Sequence, residues 1–305
     1  MAPPEERRFV FVTGKGGVGK TTVCAALALS LAARGKRVLI AMCNAKERVS
    51  VLFGSEPVGP EVMQVAENVY AVNIDPERAI NEYGLMILKV RAFHRAVFDN
   101  KYVKAFFRGV PGLQEWAMLG KAWFHAVEKD ESGRHTYDVV LLDAPATGHG
   151  LDMLRVPKII TEVAPAGVLR RDADLAWAMF RDPKQSSVIV VTLAEELPTT
   201  ESIELIDSIQ NELQLPIGEV VVNGLLPPLF SETERKELLA KDGLIGDEPG
   251  EQAVGAASRR AIRERVQAAS LSRLSELPFK QVRLPLLFDG AGRPEAIHEL
   301  ARHFG

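Results

Sequence analysis

Nine consecutive residues constrain this chain more than any other feature. Gly14-Lys15-Gly16-Gly17-Val18-Gly19-Lys20-Thr21-Thr22 follow an apolar run at 9–12 and precede a helix-forming run at 23–33. The spacing is G-x-x-x-x-G-K-[ST], set between a strand pattern and a helix pattern, which is the context that gives it physical meaning. The glycines let the backbone wrap closely around phosphate oxygens, and the N–H groups of the loop and helix start point at an anion. In such a loop Lys20 bridges the β- and γ-phosphates and the Thr21 hydroxyl ligates Mg²⁺.

The rest of the chain agrees with an α/β fold. Short apolar, β-branched runs recur at 9–12, 38–42, 69–74, 139–142, 188–192, 220–222 and 282–284, separated by amphipathic stretches. Continuous apolar strands of this kind belong to a mainly parallel, doubly wound sheet covered on both faces. Two stretches interrupt the rhythm. Residues 75–126 have no strand signal and show helical spacing at Leu113, Trp116, Ala117, Gly120, Trp123, Phe124 and Val127. Residues 151–179 also read as helical, with Pro157, Pro165 and Pro183 as breaks. The expected organisation is one P-loop domain over 1–305 with a helical subdomain inserted at about 75–130 and 151–183. The glycine-rich segment 242–255 reads as a loop, and the charged helix that follows begins at Arg259, Arg260, Arg263 and Arg265.

A second motif narrows the reading. Residues 137–149, Tyr-Asp-Val-Val-Leu-Leu-Asp-Ala-Pro-Ala-Thr-Gly-His, form an apolar strand that ends in Asp143 and a turn. An acid at a strand's carboxyl end is well placed to hold a metal's water shell. This segment resembles the D-T-A-P-T-G-H switch of the arsenite-pump (ArsA) and tail-anchored-protein-targeting ATPases. Thr147, Gly148 and His149 fall on that switch. The loop K-G-G-V-G-K-T carries a second lysine, Lys15, and resembles the deviant loop of the MinD/ParA-type class of dimeric ATPases. The resemblance implies that Lys15 reaches the partner protomer's nucleotide. Further matches run along the whole chain: Pro111-Gly112 with Glu115, Asp182-Pro183, Glu195-Glu196-Leu197 and Glu201. The resemblance also implies that Asn223 reads adenine and that Pro285 and Leu286 lie against the base.

The first switch departs from the family. Aligning residues 38–40 with the family's second strand sets Met42-Cys43-Asn44-Ala45-Lys46-Glu47 on a segment that reads like S-T-D-P-A-H there. Asn44 then replaces the aspartate that positions the attacking water. An amide can hydrogen-bond that water but cannot act as a base. Hydrolysis is therefore expected to be slow, or to depend on a partner subunit, with Glu47 as the nearby carboxylate that could substitute. The chain resembles a single-half, bacterial-type member of the family. It has only two cysteines, Cys24 and Cys43, and so lacks the C-x-x-C zinc clip and makes a poor thiol site for arsenite.

Composition excludes some partners. Thirty-seven basic against 40 acidic residues give a net charge of −3, so no nucleic-acid-coating surface is expected. Few cysteines and no leader or membrane-length apolar run suggest a reducing cytoplasm, with membranes involved only indirectly. Met86, Phe93, Phe98, Tyr102, Phe106, Phe107, Trp116, Met118, Trp123, Phe124, Trp177, Met179 and Phe180 concentrate in the helical stretches. They read either as the subdomain's own core or as a groove for a hydrophobic client. The first functional reading is an ATP- and Mg²⁺-dependent dimeric ATPase, cycling between ATP and ADP and coupled to such a client. A weakly catalytic nucleotide switch, one half of a heterodimer, is the alternative. A MinD/ParA-type positioning protein is a lesser one.

Overall fold

The computed structural model describes residues 6–88, 112–145, 149–240 and 248–304. Its eight strands are β1 (Phe9–Thr13), β2 (Val38–Cys43), β3 (Met63–Ala66), β4 (Val69–Ile74), β5 (Val139–Asp143), β6 (Ser186–Leu193), β7 (Ile217–Leu225) and β8 (Lys280–Pro285). They form one sheet in the order β3-β4-β2-β5-β1-β6-β7-β8. Every pairing is parallel except the edge pair β3 and β4. All seven strands read from the sequence are present. The eighth, β3, is short, half-exposed and joined to β4 by a tight turn in which Asn68 has φ 58°. It lacks the continuous apolar run that marks the interior strands.

Alternation along the strands divides the core in two. Phe9 and Phe11 of β1 face one layer with Leu39, Leu142, Trp116 and Phe180, while Val10 and Val12 face the other with Ile40, Leu141, Leu27 and Leu31. Phe9, Phe11 and Phe180 pack ring against ring with centroids 4.7–5.0 Å apart. Each such fully buried side chain contributes about 1.5–3 kcal/mol by leaving water. The second layer is covered by α1 (Lys20–Ala33), packed against α10 (Pro294–Ala301) and α2 (Val49–Phe53). The first is covered by α4 (Leu113–Val127), α5 (His149–Val163) and α6 (Val168–Arg181), with α3 (Pro76–Leu88) packed on α4. Helices α7 (Glu196–Asp207), α8 (Glu232–Ala240) and α9 (Pro249–Ser275) complete the β6 to β8 side. Among the described residues, no helix is long and apolar enough to cross a membrane.

Three sequence expectations change. Pro157 does not break its helix: it lies inside α5, where burial of Met153, Leu154, Val156 and Ile160 carries the helix past the one hydrogen bond that proline removes. The loop expected over 242–255 ends early, because α9 begins at Pro249, a residue whose fixed φ suits a first helical turn. The aromatic set is also divided. Trp116, Met118, Met179 and Phe180 are buried in the sheet's own core, Trp123 and Trp177 are partly buried, and Phe124 is 46% exposed. Phe93, Phe98, Tyr102, Phe106 and Phe107 lie outside the described residues, as does the Met86 side chain.

Candidate active site

Strand β1 sits in the middle of the sheet, between β5 and β6, where the chain reverses its direction of travel across the sheet. Crevices at the carboxyl ends of strands open at such points. The register pairs Val12 with Asp143 and Thr13 with Val190, which brings the ends of β1 and β5 to one rim beside β6. The loop 14–19 leaves β1 at this rim and enters α1 at Lys20.

The loop is held by close packing. Gly14 has φ 147° and its missing Cβ would collide with the Val191 carbonyl oxygen, so only glycine fits. Gly19 has φ 91°, and a Cβ there would strike the Asn223 side chain. Asn223, at the end of β7, donates from Nδ2 to the Val18 carbonyl at 2.9 Å and accepts the Gly224 N–H at 2.9 Å. It therefore ties the loop to β7; one N–H and one lone pair of the amide remain for other partners.

Lys20 is 8% exposed, and its Nζ donates to the carbonyls of Gly14 and Lys15, both at 3.0 Å. Burial lowers its pKa and the nearby Asp143 carboxylate opposes that shift. Thr21 Oγ1 donates to Asp143 Oδ2 at 2.6 Å. Asp143 is 5% exposed, and burial raises its pKa to about 6 against the opposing effects of the Thr21 hydrogen bond and Lys20. A hydroxyl and a buried carboxylate joined in this way are hard oxygen donors suited to Mg²⁺. A carboxylate whose ionised form is penalised by burial gains from a cation. Thr21, Asp143 and the glycine cradle thus fit a magnesium-bound nucleotide.

A cavity of about 730 Å³ opens in front of these groups. Gly17, Gly19, Lys20, Thr21 and Thr22 form its floor, Asp143, Ala144 and Pro145 one side, and Cys43, Asn44, Ala45, Lys46 and Arg48 the other. Asn44 has a left-handed backbone, φ 45°, which asparagine tolerates, and its N–H donates to Ile74 O at 3.0 Å. Glu47 faces elsewhere: its carboxylate accepts the Ser50 N–H and the Ser50 hydroxyl, each at 2.7 Å, at the start of α2. Lys15 leaves the loop for α7, where it pairs with Glu201 at 3.1 Å. Both cysteines are buried with their thiol pKa values pushed up by burial, and Cys43 meets the cavity wall.

The remaining expected residues divide. Pro285 closes β8, and Leu286 donates its N–H to Leu225 O at 2.8 Å; the cavity wall near α10 is instead made by Ala291 and Gly292. Gly16 belongs to the loop, Thr147 and Gly148 lie outside the described residues, and His149 is placed only as the first residue of α5. Sequence reasoning passed over Lys46 and Arg48 as cavity residues, and also Asn73. Asn73 Oδ1 accepts the Ala45 N–H at 3.1 Å and Nδ2 donates to Ala45 O at 2.9 Å, clamping the first switch. The available signal was a single amide in the otherwise apolar strand β4.

Comparison with known proteins follows the same outline. The model of the anion-transporting ATPase family matches residues 7–166. ATPase BagA of Mycobacterium tuberculosis is 33% identical over 72% of this chain and 66% of its own length. A putative arsenical pump-driving ATPase of Halobacterium salinarum is 32% identical over 76% of this chain and 38% of its own. ATPase GET3 of Kluyveromyces lactis is 23% identical over 74% of each. The chain thus spans just under two thirds of the mycobacterial relative and well under half of the haloarchaeal one.

Proposed function

The chain belongs to the anion-transporting ATPase family, and from that premise we propose that it binds ATP with Mg²⁺ at the rim of β1, β5 and β6 and hydrolyses it to ADP and phosphate. The observation that carries this reading is the Thr21–Asp143 hydrogen bond set beside Lys20 in a loop where Gly14 and Gly19 have no space for a side chain. The amides of residues 16–20 and the Lys20 ammonium neutralise the phosphates. Lys20 exchanges the Gly14 and Lys15 carbonyls for phosphate oxygens. Thr21 and Asp143 would hold Mg²⁺, which would supply positive charge against that of the phosphates. Asn223 offers its spare amide donor and acceptor to adenine, with Pro285 and Leu286 beside the base.

The working unit in this reading is a dimer, homomeric or with a related subunit, in which Lys15 leaves Glu201 for the partner's nucleotide. The helical subdomain at about 75–130 and 151–183, inserted in one P-loop domain over 1–305, transmits nucleotide state to a hydrophobic client, in the cytoplasm. An apolar recess of about 260 Å³ between α3 and α4, walled by Tyr83, Trp116, Trp123 and Phe124, supports that contact. Its size suits a few side chains and not a whole helix. Thr147, Gly148 and His149 act as the second switch.

Asn44 favours a second reading, a slow switch. It faces the cavity with an amide where a carboxylate would orient water, and Glu47 is engaged with Ser50. Single-turnover hydrolysis of Mg²⁺-ATP by the whole chain tests both readings. Lys20→Ala is expected to lower the rate at least about 100-fold. Asn44→Asp is expected to raise it about tenfold if the slow reading holds. A wild-type chain that binds no nucleotide sinks both.

A further inference from the structure

The first switch carries charge that the proposed reaction does not yet use. Two side-chain clamps fix its path: Asn73 holds both backbone groups of Ala45, and Glu47 is turned onto Ser50. Between and beside those clamped positions, Asn44, Lys46 and Arg48 line the same cavity as Lys20 and Thr21. The only acid of this segment is thus directed away from the cavity, and both of its cations line it. Among the described residues neither Lys46 nor Arg48 forms an ion pair, and both are exposed. The other groups facing them are Lys20 on the loop, Asn44, the Thr21 hydroxyl, and Asp143, which is bonded to Thr21; Ala291 and Gly292 on the α10 side carry no charge. The cavity therefore presents three cations to one buried carboxylate. Like charges gathered round a cleft attract an anion, and the attraction strengthens where walls exclude water.

We propose that Lys46 and Arg48 are ligands of the terminal phosphate and make this site select a nucleoside triphosphate over the diphosphate. The inference rests on the nucleotide site proposed above. In the proposed site the loop amides and Lys20 serve the inner phosphates. Lys46 and Arg48, carried by the clamped switch at the β2 end, are the cations of the same cavity left for a third. Charge-assisted hydrogen bonds from lysine and from the planar guanidinium recognise such a group, the latter with two parallel donors. Because Ala45 is tied to Asn73, the lysine and arginine approach from a fixed backbone and little ordering opposes binding.

Calorimetric titration of the full chain with Mg²⁺-ATPγS and with Mg²⁺-ADP tests this, using wild type, Lys46→Gln, Arg48→Gln and the double variant. Both side chains are exposed, so melting curves matching wild type show that the fold is intact. Each substitution is expected to weaken ATPγS about tenfold while changing ADP less than about twofold. The double variant then loses most of the preference for the triphosphate. Lys20→Ala serves as the reference that weakens both nucleotides. If the double variant keeps the wild-type ratio of affinities, or loses both nucleotides in parallel, the two cations are not terminal-phosphate ligands. A wild-type chain that binds neither nucleotide overturns the underlying site as well; one that binds both with an unaltered ratio in the variants overturns this inference alone.

Discussion

The two walls of the cavity are built on different principles. On the side of β1 and β5, a glycine packs directly on backbone, Gly14 against the Val191 carbonyl, and buried or interior side chains reinforce it, with Val18 tied to Asn223 and Thr21 to Asp143. On the side of β2, position is fixed by two side chains, Asn73 and Glu47, with Glu47 turned onto Ser50 while Asn44, Lys46 and Arg48 line the cleft. At Gly14 the first wall admits no side chain without moving β6. The second can change the chemistry it presents while its path stays the same. That difference explains why the loop matches its motif residue for residue while the switch carries Asn44, Lys46 and Arg48.

The comparison can be broken at its strongest point first. Gly14→Ala is expected to cost on the order of 3–5 kcal/mol in denaturant unfolding, the sum of backbone strain and overpacking against Val191. A midpoint equal to wild type would show that the first wall is more pliant than its packing implies.

Asp143→Asn sharpens it through pH. The folded state holds the Asp143 proton more tightly than the unfolded chain, where the pKa is the ordinary 3.8, against about 6 in the fold. Stability from this group is therefore full below the unfolded value, falls as pH rises between about 4 and 6, and stays reduced above. Without metal at pH 8, Asp143→Asn should be more stable than wild type by about 1–3 kcal/mol, and the two should converge near pH 3–4. Added Mg²⁺ and nucleotide should reverse the order. An asparagine variant less stable than wild type at pH 8 would mean that Lys20 and Thr21 outweigh burial.

The smallest effect belongs to the second wall. Asn73→Ala removes two hydrogen bonds to Ala45 and should cost about 1–2 kcal/mol, with faster deuterium exchange at the Ala45 amide. Exchange at wild-type rate would locate the clamp elsewhere.

Legibility in the sequence follows the same division. Interior strands such as β1, β2 and β5 are apolar at every position but the last of β1 and β5, Thr13 and Asp143, so pattern alone finds them. The loop and Asp143 are legible because their motifs set fixed residue types at fixed spacing between a strand and a helix or at a strand's end. Strand β3 is not, since an edge pair needs only partial burial. Asn73 is invisible for another reason: its role exists only because β4 pairs with β2 in a register that sets Asn73 beside Met42, next to the switch. Pro157 misleads because local propensity yields to burial on both sides of it. Lys46 and Arg48 could be counted in the sequence, but their direction depends on where Glu47 turns.

The two thiols carry a consequence of their own. Cys24 and Cys43 are buried, and burial keeps both protonated far above neutral pH. Attack on peroxides, electrophiles or a mixed disulfide needs the thiolate. Even Cys43, against the wall of the cleft, therefore offers no nucleophile. The proposed nucleotide site is thereby left without a cysteine thiolate through which a thiol oxidant could act on it.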